Sequence, residues 1–365
     1  GVGDGANNIA GAGAITVNNG GTFNLTQSGD NAITLQGAPL TNSGGTVNIT
    51  STANDQTRNF LIGTDAANTG QLISTGGTTT ISVGDDIRLR ANSSINVSGG
   101  TANLNPADAF ITAGAGGGNG ATIAVTDTGT LNIDITAARS AGNKVTLGQN
   151  DEMTVQGSNA NVIITGQADS AIQIDGSLDL FDSGRVTVEE GTTTISSTAV
   201  VDGGTVGDSG TLEIKSDMVI ASDADITNAP NLRINTTEDV AISGTTGDTG
   251  TVGWGIITLD QAVGMTSGTT TINTSINNID ANTIVINSGT LMLGDDDQFS
   301  NTTDMVLAGG TFNTNNNDEV LGTFTLSEDS IIDFGDLPLD GSILKFADSS
   351  DQTWNPAATL TIINW

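Results

Sequence analysis

Residues 284–293 read Ile284-Val285-Ile286-Asn287-Ser288-Gly289-Thr290-Leu291-Met292-Leu293, and residues 305–314 read Met305-Val306-Leu307-Ala308-Gly309-Gly310-Thr311-Phe312-Asn313-Thr314. Both are one phrase: apolar residues in alternation, a Gly-Thr corner, and alternation again. A period of two puts every second side chain on one face of a strand, so each half of the phrase is a strand with one buried side. Glycine lets the backbone take a corner that a Cβ would oppose. The phrase is therefore strand, sharp bend, strand.

The phrase recurs along the chain. Copies lie at Gly20-Gly21-Thr22, Gly44-Gly45-Thr46, Gly76-Gly77-Thr78, Gly99-Gly100-Thr101 and Gly129-Thr130, and later at Gly191-Thr192, Gly210-Thr211, Gly250-Thr251 and Gly268-Thr269. Spacing gives the meaning. Gly268, Gly289 and Gly310 are 21 residues apart, Gly21 and Gly45 are 24 apart, and Gly77 and Gly100 are 23 apart. A loose repeat made only of short strands and turns marks a β-solenoid. The residues one and three after the Thr are apolar: Phe23 and Leu25, Val47 and Ile49, Leu131 and Ile133, Leu291 and Leu293. These point inward and stack from coil to coil. Where Thr79, Thr193 and Thr270 take the first slot, Ile81, Ile195 and Ile272 keep the second. The class is all-β, a parallel β-helix. At one coil per ~22 residues and ~4.8 Å between strands, roughly 16 coils would make a rod on the order of 75 Å long.

Composition narrows the function. Of 365 residues 49 are Gly, aromatics are 3%, and the net charge is −32. Phosphate binding needs clustered Lys and Arg. With nine basic residues and that charge, nucleic acid is excluded as a partner, and an anionic membrane surface is disfavoured. The charge suits a soluble surface in a salt-rich medium. Cysteine is absent, so there is no disulfide or thiol chemistry. No run of 18 apolar residues predicts a transmembrane helix. A start at Gly1 rather than Met reads as a mature or trimmed chain. The pattern predicts a single β-helix over 1–365. Residues 1–14 form an arm or ragged first coil, 114–120 a protruding loop, and 251–365 the most regular repeats. The 62 residues from Gly129 to Gly191 fit three coils with degenerate corners.

Histidine and cysteine are both absent, which removes the usual zinc, copper and haem sites. Calcium takes carboxylate and backbone oxygens. Its candidate ligands are Asp85 and Asp86, and Asp295, Asp296 and Asp297; otherwise both acidic groups are solvated turns. Gly117-Gly118-Asn119-Gly120-Ala121-Thr122-Ile123 approaches a calcium-binding nonapeptide but lacks its Asp. Paired carboxylates could also do glycosidic acid–base work. Gly84-Asp85-Asp86 and Gly294-Asp295-Asp296-Asp297 superficially resemble the Gly-Asp-Asp of polygalacturonases. The Gly-His-Gly and Arg-Ile-Lys of that family have no counterpart here, and lyase chemistry needs bases that nine scattered Lys and Arg do not supply. No cofactor is expected beyond calcium.

Residues 267–346 resemble the autotransporter-associated β-strand repeat of Gram-negative secreted proteins. The resemblance rests on Ser267-Gly268-Thr269-Thr270-Thr271-Ile272, Ile286-Asn287-Ser288-Gly289-Thr290-Leu291-Met292-Leu293-Gly294, Leu307-Ala308-Gly309-Gly310-Thr311-Phe312, Leu321-Gly322-Thr323-Phe324-Thr325-Leu326 and Ser330-Ile331-Ile332-Asp333-Phe334. It implies a right-handed parallel β-helix displayed on, or released from, the cell surface, serving as a scaffold for adhesion or self-association. The leading expectation is therefore a non-enzymatic extracellular structural or adhesive protein, a surface rod or a filament subunit. A carbohydrate-active enzyme and a non-catalytic glycan-binding protein are the alternatives. Self-association is expected at the end of the chain, where Leu360, Ile362, Ile363 and Trp365 lie on an alternating strand with no cap in view. The expected partner is thus another copy, end to end, with extracellular glycans or cell surfaces as further partners.

Overall fold

The structure, a computed structural model, describes all residues except 1–6, 11–13, 28–31, 52–59, 65–68, 113–119, 136–142, 167–170, 205–208, 222–223, 229, 237–239, 245–252, 261–268, 275–278 and 337–341. The arm and the 114–120 loop lie largely outside the described residues, as do residues 117–119 of the nonapeptide-like segment. The chain forms two compact units, 1–194 with 198–201, and 195–197 with 202–365. Every described element is a β-strand, and strands pair in parallel with strands about one repeat away. Each unit is a parallel β-solenoid.

In the first unit, Leu40–Ser51, Gln71–Val83 and Ser94–Pro106 are long because each runs through its Gly-Gly corner. Before the corner, Leu40 stacks on Leu72 and Leu72 on Ile95; after it, Ile49 stacks on Ile81 and Ile81 on Leu104. A separate ladder of short strands sets Ile33, Phe60, Ile87, Phe110 and Val145 in register. All these side chains are buried. The corner tolerates only glycine: Gly77 and Gly100 have φ of +71° and +73°, and a Cβ on Gly77 would lie 2.1 Å from the Gly45 carbonyl oxygen. Asn42, buried beside the corner, accepts the Gly45 N–H at 2.9 Å through Oδ1 and donates to the Gly45 carbonyl at 3.2 Å. It supplies the partners that the bent backbone has lost.

The predicted spacing appears directly as register: Thr22 pairs with Thr46, Thr78 with Thr101, and Thr269, Thr290 and Thr311 follow one another. Three details differ. Phe23 and Leu25 are half-buried, because the described partner of Thr22–Gln27 lies on one side only. Thr130 pairs with Asn161 and Asn161 with Arg185, so two coils, not three, separate Gly129 from the equivalent corner. Those corners are built without Gly-Thr, around Gly157 and around Asp182-Ser183-Gly184, where Asp182 and Ser183 take φ of 50° and 66°. Gly191 belongs to the next bend, before Thr192–Ile195.

In the second unit the same phrase serves a different corner. Asp280–Ser288 pairs with Asp304–Leu307, whereas Thr290–Leu293 pairs with Thr311–Asn313. Gly289 and Gly310 thus mark the passage between two ladders. One ladder stacks Leu232, Ile257, Ile284, Met305 and Phe324; the other sets Leu291 on Phe312 and Phe312 on Ile332. All are buried, as the inward positions require. No helix of the described residues is long and apolar enough to cross a membrane.

Candidate functional site

The two acidic turns have unlike surroundings. Asp85 and Asp86 were expected in solvent or around calcium, yet they are 3% and 6% exposed. The solvated-turn alternative is corrected for this pair, because the turn sits where stacked coils cover it. Asp108, half-buried, joins them, and ligand oxygens of all three lie within 4.8 Å of one another. Two cations reach the group. Arg88 donates to Asp86 Oδ2 through Nη2 at 2.7 Å and Nε at 3.1 Å. Lys144, itself 3% exposed, reaches Asp108 Oδ1 at 2.5 Å. The Asp108 N–H donates to the Asp85 carbonyl at 3.2 Å, closing the turn onto the coil before it.

Three carboxylates so close repel one another unless positive charge lies among them. Arg88 and Lys144 supply two such charges, and a calcium ion is the other kind of partner these oxygens fit. Asp108 could have been found in the sequence: it follows Asp85 by 23 residues, the same step as Gly77 to Gly100. Lys144 carried no comparable signal: it stands one before Val145, the ladder partner of Phe110, but 36 residues after Asp108 rather than 23.

Asp295, Asp296 and Asp297 are exposed. Asp295 Oδ1 accepts the Asp296 N–H at 2.9 Å, and Asp296 Oδ1 accepts the Asp318 N–H of the next coil at 2.8 Å. The three do not converge into a cation-binding group: among the described residues, the one such cluster is that of Asp85, Asp86 and Asp108. The group not foreseen here is Glu319, fully buried. Its Oε2 accepts the Gln298 N–H at 2.9 Å and the Phe299 N–H at 3.3 Å, while Oε1 has no hydrogen-bond partner. Burial pushes its carboxyl up to about 7, the Asp297 charge adds to the rise, and the backbone hydrogen bonds oppose it. Alternation gave the clue, for Glu319 lies two before the buried Leu321.

In the second unit, Leu360–Ile363 adds in parallel to Ser330–Asp333, setting Ile362 beside Ile332. Leu360 is half-buried, whereas Ile362, Ile363 and Trp365 are 46%, 38% and 91% exposed. Above Phe324–Leu326 the chain folds over: Trp354 meets Phe324 edge-on at 5.2 Å, Phe346 lies 4.9 Å from the same ring, and Trp354 Nε1 donates to the Phe324 carbonyl at 3.0 Å.

No protein-family model matches the sequence, and no curated protein matches it.

Proposed function

We propose that this chain is a non-enzymatic extracellular structural or adhesive protein of a bacterial cell surface. In this reading its scaffold is a right-handed parallel β-helix of roughly 16 coils, of the autotransporter-associated repeat kind. The observation that carries the reading is how its polar side chains are used. Outward-facing residues bond to their equivalents one coil away, as Asn48 to Asn24 at 2.8 Å and Asn132 to Asn103 at 2.7 Å. In the carboxylate cluster Lys144 reaches Asp108 from the next coil, while Arg88 pairs with Asp86 within its own. Asp85 and Asp86 are shut away from a polymeric substrate by burial. Such groups serve coil-to-coil cohesion, which suits a scaffold. The test is incubation of purified protein with polyuronates and sulfated glycans: intact polymers are expected, and release of reducing ends or unsaturated products would overturn the reading.

Calcium belongs to this proposal at Asp85, Asp86 and Asp108 rather than at Asp295–Asp297, because only the first group converges. A ligand that binds the folded state alone stabilises it. EDTA is then expected to lower Tm, and millimolar calcium to restore it, in the wild type but not in Asp108→Asn. An unchanged Tm would leave the three carboxylates to Arg88 and Lys144.

Self-association belongs to it as well. In this proposal another strand adds beside Leu360–Ile363, where Ile362, Ile363 and Trp365 present exposed apolar surface. Another copy adding at this edge makes a head-to-tail contact that need not close.

A further inference from the structure

The outward faces of the first unit carry a pattern that burial does not explain. Thr22–Gln27, Leu40–Ser51, Gln71–Val83 and Ser94–Pro106 contain no charged residue, on a chain of net charge −32. After the corner, successive coils read Thr-Phe-Asn-Leu-Thr, Thr-Val-Asn-Ile-Thr, Thr-Thr-Thr-Ile-Ser, Thr-Ala-Asn-Leu-Asn and Thr-Leu-Asn-Ile-Asp. The register aligns them without a slip, so Thr22, Thr46, Thr78, Thr101 and Thr130 form one outward column. Asn24, Asn48, Thr80, Asn103 and Asn132 form the column beside it.

Threonine is at home in strands, but asparagine is depleted there. Its repeated use in the central column has a visible consequence. Asn48 donates to Asn24 at 2.8 Å, Asn103 to Thr80 at 3.4 Å and Asn132 to Asn103 at 2.7 Å. These bonds hold the amides in one orientation, and each amide has a second N–H and further acceptor capacity to offer outward. The result is a fixed array of neutral donors and acceptors. It repeats at ~4.8 Å from coil to coil and at roughly 7 Å along each strand.

We propose that this face binds a neutral polysaccharide laid along the ladder. The proposal rests on the adhesive reading above and names its ligand class. A periodic array rewards a partner that is itself periodic, and a polysaccharide repeats its hydroxyls, each a donor and an acceptor. Charge selects the neutral kind: these strands offer no Lys or Arg to uronate or sulfate groups, and the charge of the whole chain repels polyanions. The same repulsion opposes a second copy on this face. Because the side chains are already ordered, binding costs little further entropy, and weak contacts on successive coils add along one chain.

The test uses the full chain, microcrystalline cellulose, a soluble mixed-linkage β-glucan, and alginate as the charged comparison. Retention on cellulose or retardation by the β-glucan is expected, with none on alginate. Thr78→Glu, in the middle of the exposed column, is expected to weaken retention by about tenfold or more. Asn301→Glu, the same charge change on an exposed turn of the second unit, should leave it unchanged. Thermal melting checks the fold; should Thr78→Glu melt early, Thr78→Val, which keeps the branched shape and removes only the hydroxyl, takes its place. Failure on both neutral polymers, equal retention of the two variants, or equal binding to alginate overturns the proposal. So does light scattering that shows a dimer dissolved by the Thr78 change with no polymer retained, since the face would then join two copies. Release of reducing ends from a retained polymer would instead defeat the non-enzymatic reading and leave the binding face standing.

Discussion

Glu319 shows how one inward position can make stability depend on pH. Its carboxyl is raised to about 7 in the folded chain, against 4.5 ordinarily, chiefly by burial. Between those values the folded state keeps a proton that the unfolded state has lost. The contribution of Glu319 is therefore full below about pH 4.5 and lost as pH rises through about 7. A shift of that size corresponds to up to about 3 kcal/mol. Glu319→Gln is expected to melt above the wild type at pH 8 and to lose the advantage at pH 5; a constant difference across that range would show that the carboxyl does not titrate there. Lys144 is the opposite case, a buried cation placed against carboxylates. Lys144→Met removes a buried cation from beside Asp108 and is expected to cost on the order of 3 kcal/mol. Adding Asp108→Asn should recover part of that loss, and additive losses in the double variant would mean the two side chains are not coupled.

For single elements, the stacking of neighbouring coils decides the energetics. Leu291 lies on Thr290–Leu293, fully buried and in register with Phe312 on the next strand of its ladder. Leu291→Asp places an unpaired charge between coils and is expected to cost several kcal/mol, read as a lower Tm with loss of the β signal in circular dichroism. An unchanged melt would mean that the stack does not hold the second unit together. The segment around Trp354 is an element of another kind, irregular yet fixed by its ring contacts and by the indole hydrogen bond to Phe324. Trp354→Ala removes an aromatic pair worth about 1 kcal/mol beyond its buried area and bares Phe324. A lower Tm, with more binding of an apolar dye, is the expected result.

For the whole chain, assembly and charge oppose each other. A charge of −32 keeps copies apart at low ionic strength, and salt screens that repulsion. In the proposed assembly another copy adds beside Leu360–Ile363, where Ile362 and Ile363 are exposed. Filaments are therefore expected to grow with salt, and deletion of residues 359–365 is expected to abolish them while leaving a folded monomer. The deleted chain polymerising in electron micrographs, or the intact chain staying monomeric at high concentration and high salt, would remove strand addition at this edge as the mechanism.

The sequence by itself determined the class of fold and much of its register. A period of two fixes which side chains face inward, and the distance between Gly-Thr corners fixes which residues stack; both are local facts, legible at Val47, Ile49, Leu291 and Phe312. The Asp85–Asp108 step was legible for the same reason. Only the tertiary structure decided which corner each glycine turns, since Gly45 and Gly289 carry one phrase and occupy different bends. It decided that Asp85 and Asp86 are buried while Asp295–Asp297 stay in solvent, because coverage of a turn depends on the loops of neighbouring coils. It also brought Lys144 to Asp108 and Trp354 over Phe324. The first contact spans a coil longer than its neighbours, from Phe110 to Val145, and the second crosses an irregular segment, so the usual repeat distance links neither pair.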